Sequence, residues 1–215
     1  MNETLDAARV AAASARLGRV LTDDQAGMLA VYLGLLVKWN SRMNLVGPAK
    51  WPEILETLIQ DSWHLADLLQ TIEPQPAETL DLGAGAGLPG IPLRVFWTAG
   101  DYWLVEPRQK RALFMEQVAA HMRLPRTRVL CARMEALPQA RRQAGLIVSR
   151  AFMPWKKLLA EVRSYLAPGG RVLVMSNEAT GETVEGFALD VEKDYAVAGK
   201  TRWFRLFRLV GEDFR

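Results

Sequence analysis

The segment that decides the fold is Thr79-Leu80-Asp81-Leu82-Gly83-Ala84-Gly85-Ala86-Gly87-Leu88-Pro89-Gly90-Ile91-Pro92. A short apolar run leads directly into four glycines within eight residues, and a helical pattern follows them. Glycines permit positive φ and let a ligand approach the backbone closely. In an open α/β sheet, ligands bind at the carboxyl ends of the strands, beside the point where the strand order reverses. The segment therefore predicts a strand, a ligand-binding loop and a helix.

The chain that follows this loop alternates short apolar runs with longer amphipathic ones. This alternation predicts an α/β fold, with a seven-stranded, mostly parallel sheet and helices on both faces. The last two strands have no helix between them, which predicts an antiparallel hairpin at one sheet edge. We expect strands at 79–82, 102–105, 128–131, 146–149, 171–175, 189–196 and 203–210, and helices at 91–98, 110–122, 135–142 and 154–166.

The chain before the loop has a purely helical pattern. Thr22 precedes a helical apolar period and has Gln25 three residues on, which is a capping-box pattern. A second helix is expected from Pro52 to about Leu69, and the prolines of Glu73-Pro74-Gln75-Pro76 end it. We predict a helical cap over residues 1–75 and an α/β core over 76–215, packed as one structural unit.

Composition excludes several classes of protein. The 215 residues carry 27 basic and 24 acidic side chains, a net charge of +3, which by itself announces no nucleic-acid partner. Cys131 is the single cysteine and the chain has two histidines, so we expect no internal disulfide and no metal site. The longest apolar run, Leu29 to Val37, is about half a membrane span. We expect a soluble, monomeric, cytoplasmic protein that binds no membrane.

The positions of the basic residues in the sequence are more informative than the net charge. Basic side chains gather after the second predicted strand and around the third and fourth. We expect them to border the ligand-binding edge, where a nucleic-acid backbone would lie; a solvated helix face is the alternative. They are Arg108, Lys110, Arg111, Arg123, Arg126, Arg128, Arg133, Arg141, Arg142 and Arg150.

Two ligands fit the glycine loop. Read from Gly85 to Gly90, it matches the dinucleotide pattern G-x-G-x-x-G, with Glu106 at a suitable distance. Read from Asp81 through Gly83, Gly85 and Gly87, it resembles the loop of Rossmann-like class I methyltransferases, which bind S-adenosylmethionine (SAM). Pro89 and Pro92 remove amide donors that would hold a pyrophosphate, and this favours SAM.

Side chains at the ends of the next strands are further candidates. Glu106 ends the second strand, where a carboxylate can accept both ribose hydroxyls, although it could also be a plain surface acid. Methyltransferases hold the adenine after the third strand, where this chain has Met134 and Glu135; Glu135 could instead favour a helix dipole. Arg150 ends the fourth strand, where it could meet a SAM carboxylate or an RNA phosphate.

More narrowly, the chain resembles the RsmG (GidB) family of bacterial methyltransferases. The resemblance implies methyl transfer from SAM to N7 of a guanine in 16S ribosomal RNA, free or in the small ribosomal subunit. It also implies SAM contacts at Gly83, Leu88, Met134, Glu135 and Arg150. It rests on Lys38-Trp39-Asn40, Asn44-Leu45, Asp61-Ser62, the stretch from Asp81 to Leu93, Ser149-Arg150-Ala151-Phe152 and Arg202.

Three positions depart from the family pattern. Leu58 stands where members often have His, Ser176-Asn177 where they often have Lys-Gly, and Glu106 where some have Asp.

Guanine N7 carries a free lone pair, so its methylation needs no general base and rests on positioning. The alternatives are a SAM-dependent enzyme acting on a small molecule or a protein, and a dinucleotide-binding protein.

Overall fold

The computed structural model describes residues 5–178 and 184–211. The strands of this part of the chain are β1 (Glu78–Leu82), β2 (Asp101–Val105), β3 (Thr127–Leu130), β4 (Ala144–Arg150), β5 (Leu166–Ser176), β6 (Phe187–Val197) and β7 (Lys200–Leu209). The helices are α1 (Ala7–Arg16), α2 (Asp23–Met43), α3, α4 (Gly90–Phe96), α5 (Gln109–Met122) and α6 (Trp155–Val162). Helix α3 is continuous but changes its winding: Trp51–Ile54 and Gln60–Leu69 are α-helical, and Leu55–Ile59 is a π-helical turn.

The seven strands form one sheet in the order β3-β2-β1-β4-β5-β7-β6. Strands β1 to β5 pair in parallel, whereas β7 runs antiparallel to both β5 and β6. The predicted parallel sheet and the closing hairpin are therefore confirmed. The strand order reverses between β1 and β4, so the carboxyl end of β1 lies at the crevice where ligands bind in such sheets.

Alternate residues of the strands face two separate apolar clusters. One cluster joins side chains such as Tyr102 and Leu104 to α4, α5 and the N-terminal helices α1 to α3. The other joins Leu80, Leu82 and Val105 to α6. Helices thus cover both faces of the sheet, as predicted, and the N-terminal helices share a face with α4 and α5.

The N-terminal helices begin and end where their sequence dictates. The hydroxyl of Thr22 accepts from the amide of Gln25 at 3.2 Å, and the side chain of Gln25 accepts from the amide of Thr22 at 3.1 Å. This confirms the predicted capping box. Helix α2 ends at Met43, and the next residue, Asn44, has a left-handed φ of 49° that terminates the helix.

Several predicted elements differ in the structure: the helix expected at 154–166 is α-helical only to Val162, and the last strand begins at Lys200 rather than Trp203. Two other differences are larger. Residues 135–142 form two 3₁₀ turns, Met134–Ala136 and Gln139–Arg141, in place of one helix. Pro138 separates them, and Leu137 before it is extended, because a proline disfavours the helical conformation of its predecessor. Strand β5 begins at Leu166 rather than at Arg171, since Leu166 already pairs with Ala144 across an irregular stretch.

A buried arginine fixes the edge of the sheet opposite the glycine loop. Arg94, on α4, is 1% exposed, and its guanidinium donates to five backbone carbonyls and to the hydroxyl of Thr127. The carbonyls belong to Trp97, Thr98, Ala99, Gly100 and Pro125. Arg94 thus holds together the connection from α4 to β2 and the start of β3.

Replacing Arg94 should lower the stability of the folded protein. Arg94→Met keeps much of the volume but leaves buried carbonyls without donors, at about 1–3 kcal/mol each. We expect the free energy of unfolding, measured by urea denaturation, to fall by at least about 3 kcal/mol. The exposed Arg128→Met is the control and should cost less than about 1 kcal/mol. Equal losses in the two variants would contradict this role.

Candidate functional site

The glycine loop after β1 is tied to the end of β2. The amides of Gly83 and Ala84 donate to the carbonyl of Val105 at 3.0 and 3.1 Å. The carboxylate of Glu106 accepts from the amide of Gly85 at 3.0 Å and from the amide of Arg108 at 2.9 Å. Glu106 is 3% exposed, so its charge stabilises two turns of backbone at the edge where the strands end.

Glycine is needed in this loop for its conformation. Gly83 has φ +71° and Gly85 has φ +61°, values that cost other L-residues free energy. A Cβ at Gly83 would also lie 2.5 Å from the ring carbon Cδ2 of Phe152, so that ring closes directly on the loop. A Cβ at Gly85 would have Nη1 of Arg111 as its nearest neighbour, at 3.6 Å, which leaves room.

Asp81 lies beneath the loop. Its carboxylate is 1% exposed and accepts from the hydroxyl of Tyr102 at 3.1 Å and from the amide of Gly90. Burial raises the pKa of Asp81 to about 7, against the lowering effect of those hydrogen bonds and of the nearby Arg150. Asp81 therefore fixes the start of α4 against the sheet.

Two side chains of the N-terminal helices hold the loop from the other side. The hydroxyl of Tyr32, on α2, donates to the carbonyl of Ala86 at 3.0 Å. The hydroxyl of Ser62, on α3, donates to the carbonyl of Pro89 at 3.0 Å. Both hydrogen bonds are buried. The N-terminal helices thus help to shape the loop.

The chain after α2 lies over the loop. The side chain of Asn40 donates to the carbonyl of Pro48 at 3.1 Å and accepts from the amide of Val46 at 2.9 Å. These two bonds fix the turn that contains Gly47. Trp39 packs edge-on against Phe114 of α5, with ring centroids 6.1 Å apart, and contributes to the apolar core.

Loop, turn and strand ends enclose a cleft of about 310 Å³, here called the first cleft. Four of the predicted site residues line it: Gly83, Gly85, Leu88 and Arg150. The other lining residues are Leu45, Val46, Gly47, Leu58, Ala84, Ala86, Arg111 and Ala151.

The remaining predicted site residues do not line this cleft in the described structure. Asp81, Gly87 and Glu106 lie in or under the loop and position it. Met134 is buried in the apolar cluster that contains Leu80 and Val105. The side chain of Glu135 is exposed, and its carbonyl accepts from Arg142 at 3.2 Å. Contact of Met134 and Glu135 with adenine stays a prediction.

A second cleft, of about 270 Å³, adjoins the first and shares Arg150 and Ala151 with it. Asp61 of α3 lies at its wall and is 1% exposed; it forms an ion pair with Nη2 of Arg150 at 3.1 Å. Its carboxylate also accepts hydrogen bonds from Arg202 and from the hydroxyl of Tyr195, the latter at 3.0 Å. Arg202 also donates to the carbonyl of Thr57 at 3.1 Å. The other lining residues are Met175, Ser176 and Asn177.

The predicted gathering of positive charge at the ligand edge is only partly correct. Arg108 lies at that edge and Arg111 lines the first cleft, but α5 then carries the chain about 21 Å away. Arg126 and Arg128 meet Asp101 at the start of β2, and Arg141 meets Glu78 at the start of β1. These three arginines therefore lie at the opposite edge, and the prediction is wrong for them.

The chain matches known proteins over most of its length. The sequence model of the GidB family, described as rRNA small subunit methyltransferase G, matches residues 25–203. Ribosomal RNA small subunit methyltransferase G of Nitratidesulfovibrio vulgaris is 47% identical over 184 residues, which cover 85% of this chain and 84% of that protein. The chain belongs to the GidB family. The enzyme of the same name from Lawsonia intracellularis is 40% identical over 88% of this chain and 89% of its own.

Solved structures agree on the fold. A SAM-dependent methyltransferase from Aquifex aeolicus superposes with a TM-score of 0.54 at 16% identity, over 74% of this chain and 94% of that one. The predicted Rossmann-like class I fold is therefore confirmed. Membership of the GidB family confirms the predicted enzyme class, a methyltransferase, and its cofactor, SAM.

At two of the three places where this GidB protein departs from the family pattern, Leu58 and Ser176-Asn177, the departing residues line the clefts, whereas Glu106 does not. Leu58 lies in the π-helical turn of α3 and faces the first cleft, and Ser176 and Asn177 line the second. Asp61, Arg150 and Arg202, three of the residues that carry the family resemblance, meet in one cluster. Sequence reasoning did not place Asp61, Tyr195 or Arg202 in a site, because they lie far apart along the chain.

Among residues 5–178 and 184–211, none of the helices has the length and hydropathy that a bilayer span requires. In the same part of the chain, His, Cys, Asp and Glu side chains do not gather in threes that could hold a metal ion.

The raised pKa of Asp81 predicts a pH dependence of stability. The folded state keeps the proton up to about pH 7, whereas the unfolded chain releases it near the ordinary value of 3.8. The contribution of Asp81 to stability is thus fully present below that lower value and is lost as the pH rises through 7. The Asp81→Asn variant mimics the neutral acid and lacks this loss.

Urea denaturation from pH 4 to pH 8 measures the effect. The stability of the wild type minus that of Asp81→Asn should fall as the pH rises towards 7 and then level off. A difference that stays constant over this range would contradict a buried, proton-holding Asp81.

Proposed function

We propose that this protein transfers the methyl group of S-adenosylmethionine to N7 of a guanine in 16S ribosomal RNA, acting as a monomer in the cytoplasm. The first cleft carries the proposal, because it lies at the carboxyl ends of β1 and β4 and is formed by the glycine loop. The names of the relatives, rRNA small subunit methyltransferases, support an acceptor in the small ribosomal subunit.

The first cleft has the features that SAM requires. Its floor is the backbone of Gly83 to Ala86, and Leu88 and Leu58 offer apolar contacts. Glu106 lies beside the loop at the end of β2 rather than in the lining of the cleft. Each of its oxygens accepts one backbone amide and keeps a second lone pair for a ribose hydroxyl. The buried atom Nη1 of Arg150 has no acceptor among the described residues, which suits the carboxylate of the methionine moiety.

Within this proposal the adenine lies towards the turn after β3. Met134 would present an apolar surface there and Glu135 a polar backbone. Asp81 and Gly87 act by positioning the loop, since neither lines the cleft.

Bound SAM supplies an electrophilic methyl group on a positively charged sulfur. The protein's part is then to orient the acceptor, because guanine N7 has a free lone pair and gives up no proton. Among the described residues that line the two clefts, Asp61 is the one carboxylate, and Arg150, Arg202 and Tyr195 already occupy it. The site therefore suits a nucleophile that needs no general base.

The direct test uses radiolabelled SAM and small ribosomal subunits from cells that lack the modification. Label should appear in 16S RNA, at N7 of one guanine, when the RNA is digested and mapped by position. Label on no ribosomal RNA would overturn the proposal and leave a small-molecule or protein acceptor.

A substitution in the loop tests the cofactor site. Gly85→Ala places a methyl group in the first cleft without a clash, although the left-handed backbone costs about 1–2 kcal/mol. We expect the dissociation constant for SAM, measured by calorimetry, to rise at least about tenfold, a loss of about 1.4 kcal/mol, because the added methyl group occupies space that the ligand needs.

The matched control is Gly199→Ala, in the turn between β6 and β7. Gly199 has φ +73°, and a Cβ added there would meet nothing within 4 Å, so this variant carries the same backbone strain away from the cleft. It should bind SAM as the wild type does. Equal affinity in both variants would place the cofactor elsewhere.

A further inference from the structure

The second cleft has an excess of positive charge. Among the described residues, its charged lining side chains are Asp61, Arg150 and Arg202, so two guanidinium groups share one carboxylate. Asp61 is almost fully buried, and the side chains of Arg150 and Arg202 are 22% and 17% exposed. Charges so placed are weakly screened by solvent, and the net charge of +1 favours an anion.

The arginines are held in a fixed arrangement before any ligand arrives. Asp61 forms an ion pair with Arg150 and accepts a hydrogen bond from Arg202, and the carbonyl of Thr57 accepts a second hydrogen bond from Arg202. Tyr195 donates to the remaining oxygen of Asp61, so this carboxylate cannot turn away. Preorganised arginines bind a planar or tetrahedral oxyanion at a low cost in side-chain entropy.

The position of the cleft limits which anion it takes. It lies at the carboxyl ends of β4 and β5 and shares Arg150 and Ala151 with the first cleft. A group bound there is therefore adjacent to the proposed methyl donor but separate from the loop that holds it. The base itself is a poor occupant, because N7 methylation makes guanine positively charged and the arginines would repel the product.

We propose that the second cleft binds a phosphate group attached to the target guanosine, with Arg202 as its main contact. This inference rests on the proposed function. The base then reaches past Ala151 into the first cleft, where N7 meets the methyl group. Arg150, at the boundary of the two clefts, faces both the cofactor and the nucleotide, and Asp61 is the positioning residue that orients both arginines.

The first experiment measures binding without turnover. Guanosine 5′-monophosphate and guanosine are titrated into the protein by equilibrium dialysis, with S-adenosylhomocysteine at saturation. Because the phosphate adds charge-assisted hydrogen bonds to Arg202, the monophosphate should bind at least about tenfold more tightly than guanosine. Arg202→Gln should remove most of this preference while the affinity for SAM stays within about twofold of the wild type.

Controls separate charge from structure. Arg208→Gln changes an exposed arginine of the same strand, β7, and should keep the full preference. Arg202→Lys keeps the positive charge but loses the guanidinium fork, so it should keep part of the preference. Thermal denaturation shows whether each variant is folded, and Arg202→Lys decides the question if Arg202→Gln does not fold.

The second experiment uses the labelled-methyl assay on small ribosomal subunits. Arg202→Gln should raise KM for the subunits more than it lowers kcat, and it should reduce the slope of log KM against log salt by about one. Equal binding of guanosine and its monophosphate by the wild type, or an unchanged preference in Arg202→Gln, would overturn the phosphate site. Failure of the wild type to label ribosomal RNA, with the preference intact, would instead overturn the proposed function.

Discussion

The architecture of the site depends on one buried carboxylate. Asp61 lies on α3, yet its partners Arg150, Tyr195 and Arg202 come from β4, β6 and β7. A buried charge is tolerated only when it is paired and hydrogen-bonded, so these distant segments must meet at this point. The same carboxylate also leaves the surrounding cleft positive, since it neutralises one of its two arginines.

The N-terminal helices therefore contribute side chains to the two clefts and hold the glycine loop in place. Tyr32 and Ser62 bind carbonyls of the glycine loop, Asn40 holds the turn above it, and Leu58 lines the first cleft. Side chains of these helices also share one apolar cluster with α4 and α5. Helices α2 and α3 thus hold the glycine loop, and α3 also contributes Asp61 to the second cleft. The division of the chain between residues 75 and 76 stays a prediction.

Local signals in the sequence were enough for much of the fold. Hydrophobic alternation located the strands, and the glycines after Leu82 located the cleft, because both patterns act over a few residues. Local patterns did not predict the cluster around Asp61, because Tyr195 and Arg202 lie 134 and 141 residues from Asp61 along the chain. The prediction that all the basic residues border the ligand-binding edge was wrong for a related reason: Arg108 and Arg126 lie near opposite ends of α5, at opposite edges of the sheet.

Cofactor and phosphate are proposed to occupy two adjoining clefts divided by Arg150. A crystal structure of the protein soaked with S-adenosylhomocysteine tests this division most directly. We expect the ligand to lie in the first cleft along Gly83 to Leu88, with Arg150 in contact with its carboxylate. The second cleft should contain no ligand. Density for the ligand in the second cleft would contradict the division into two sites.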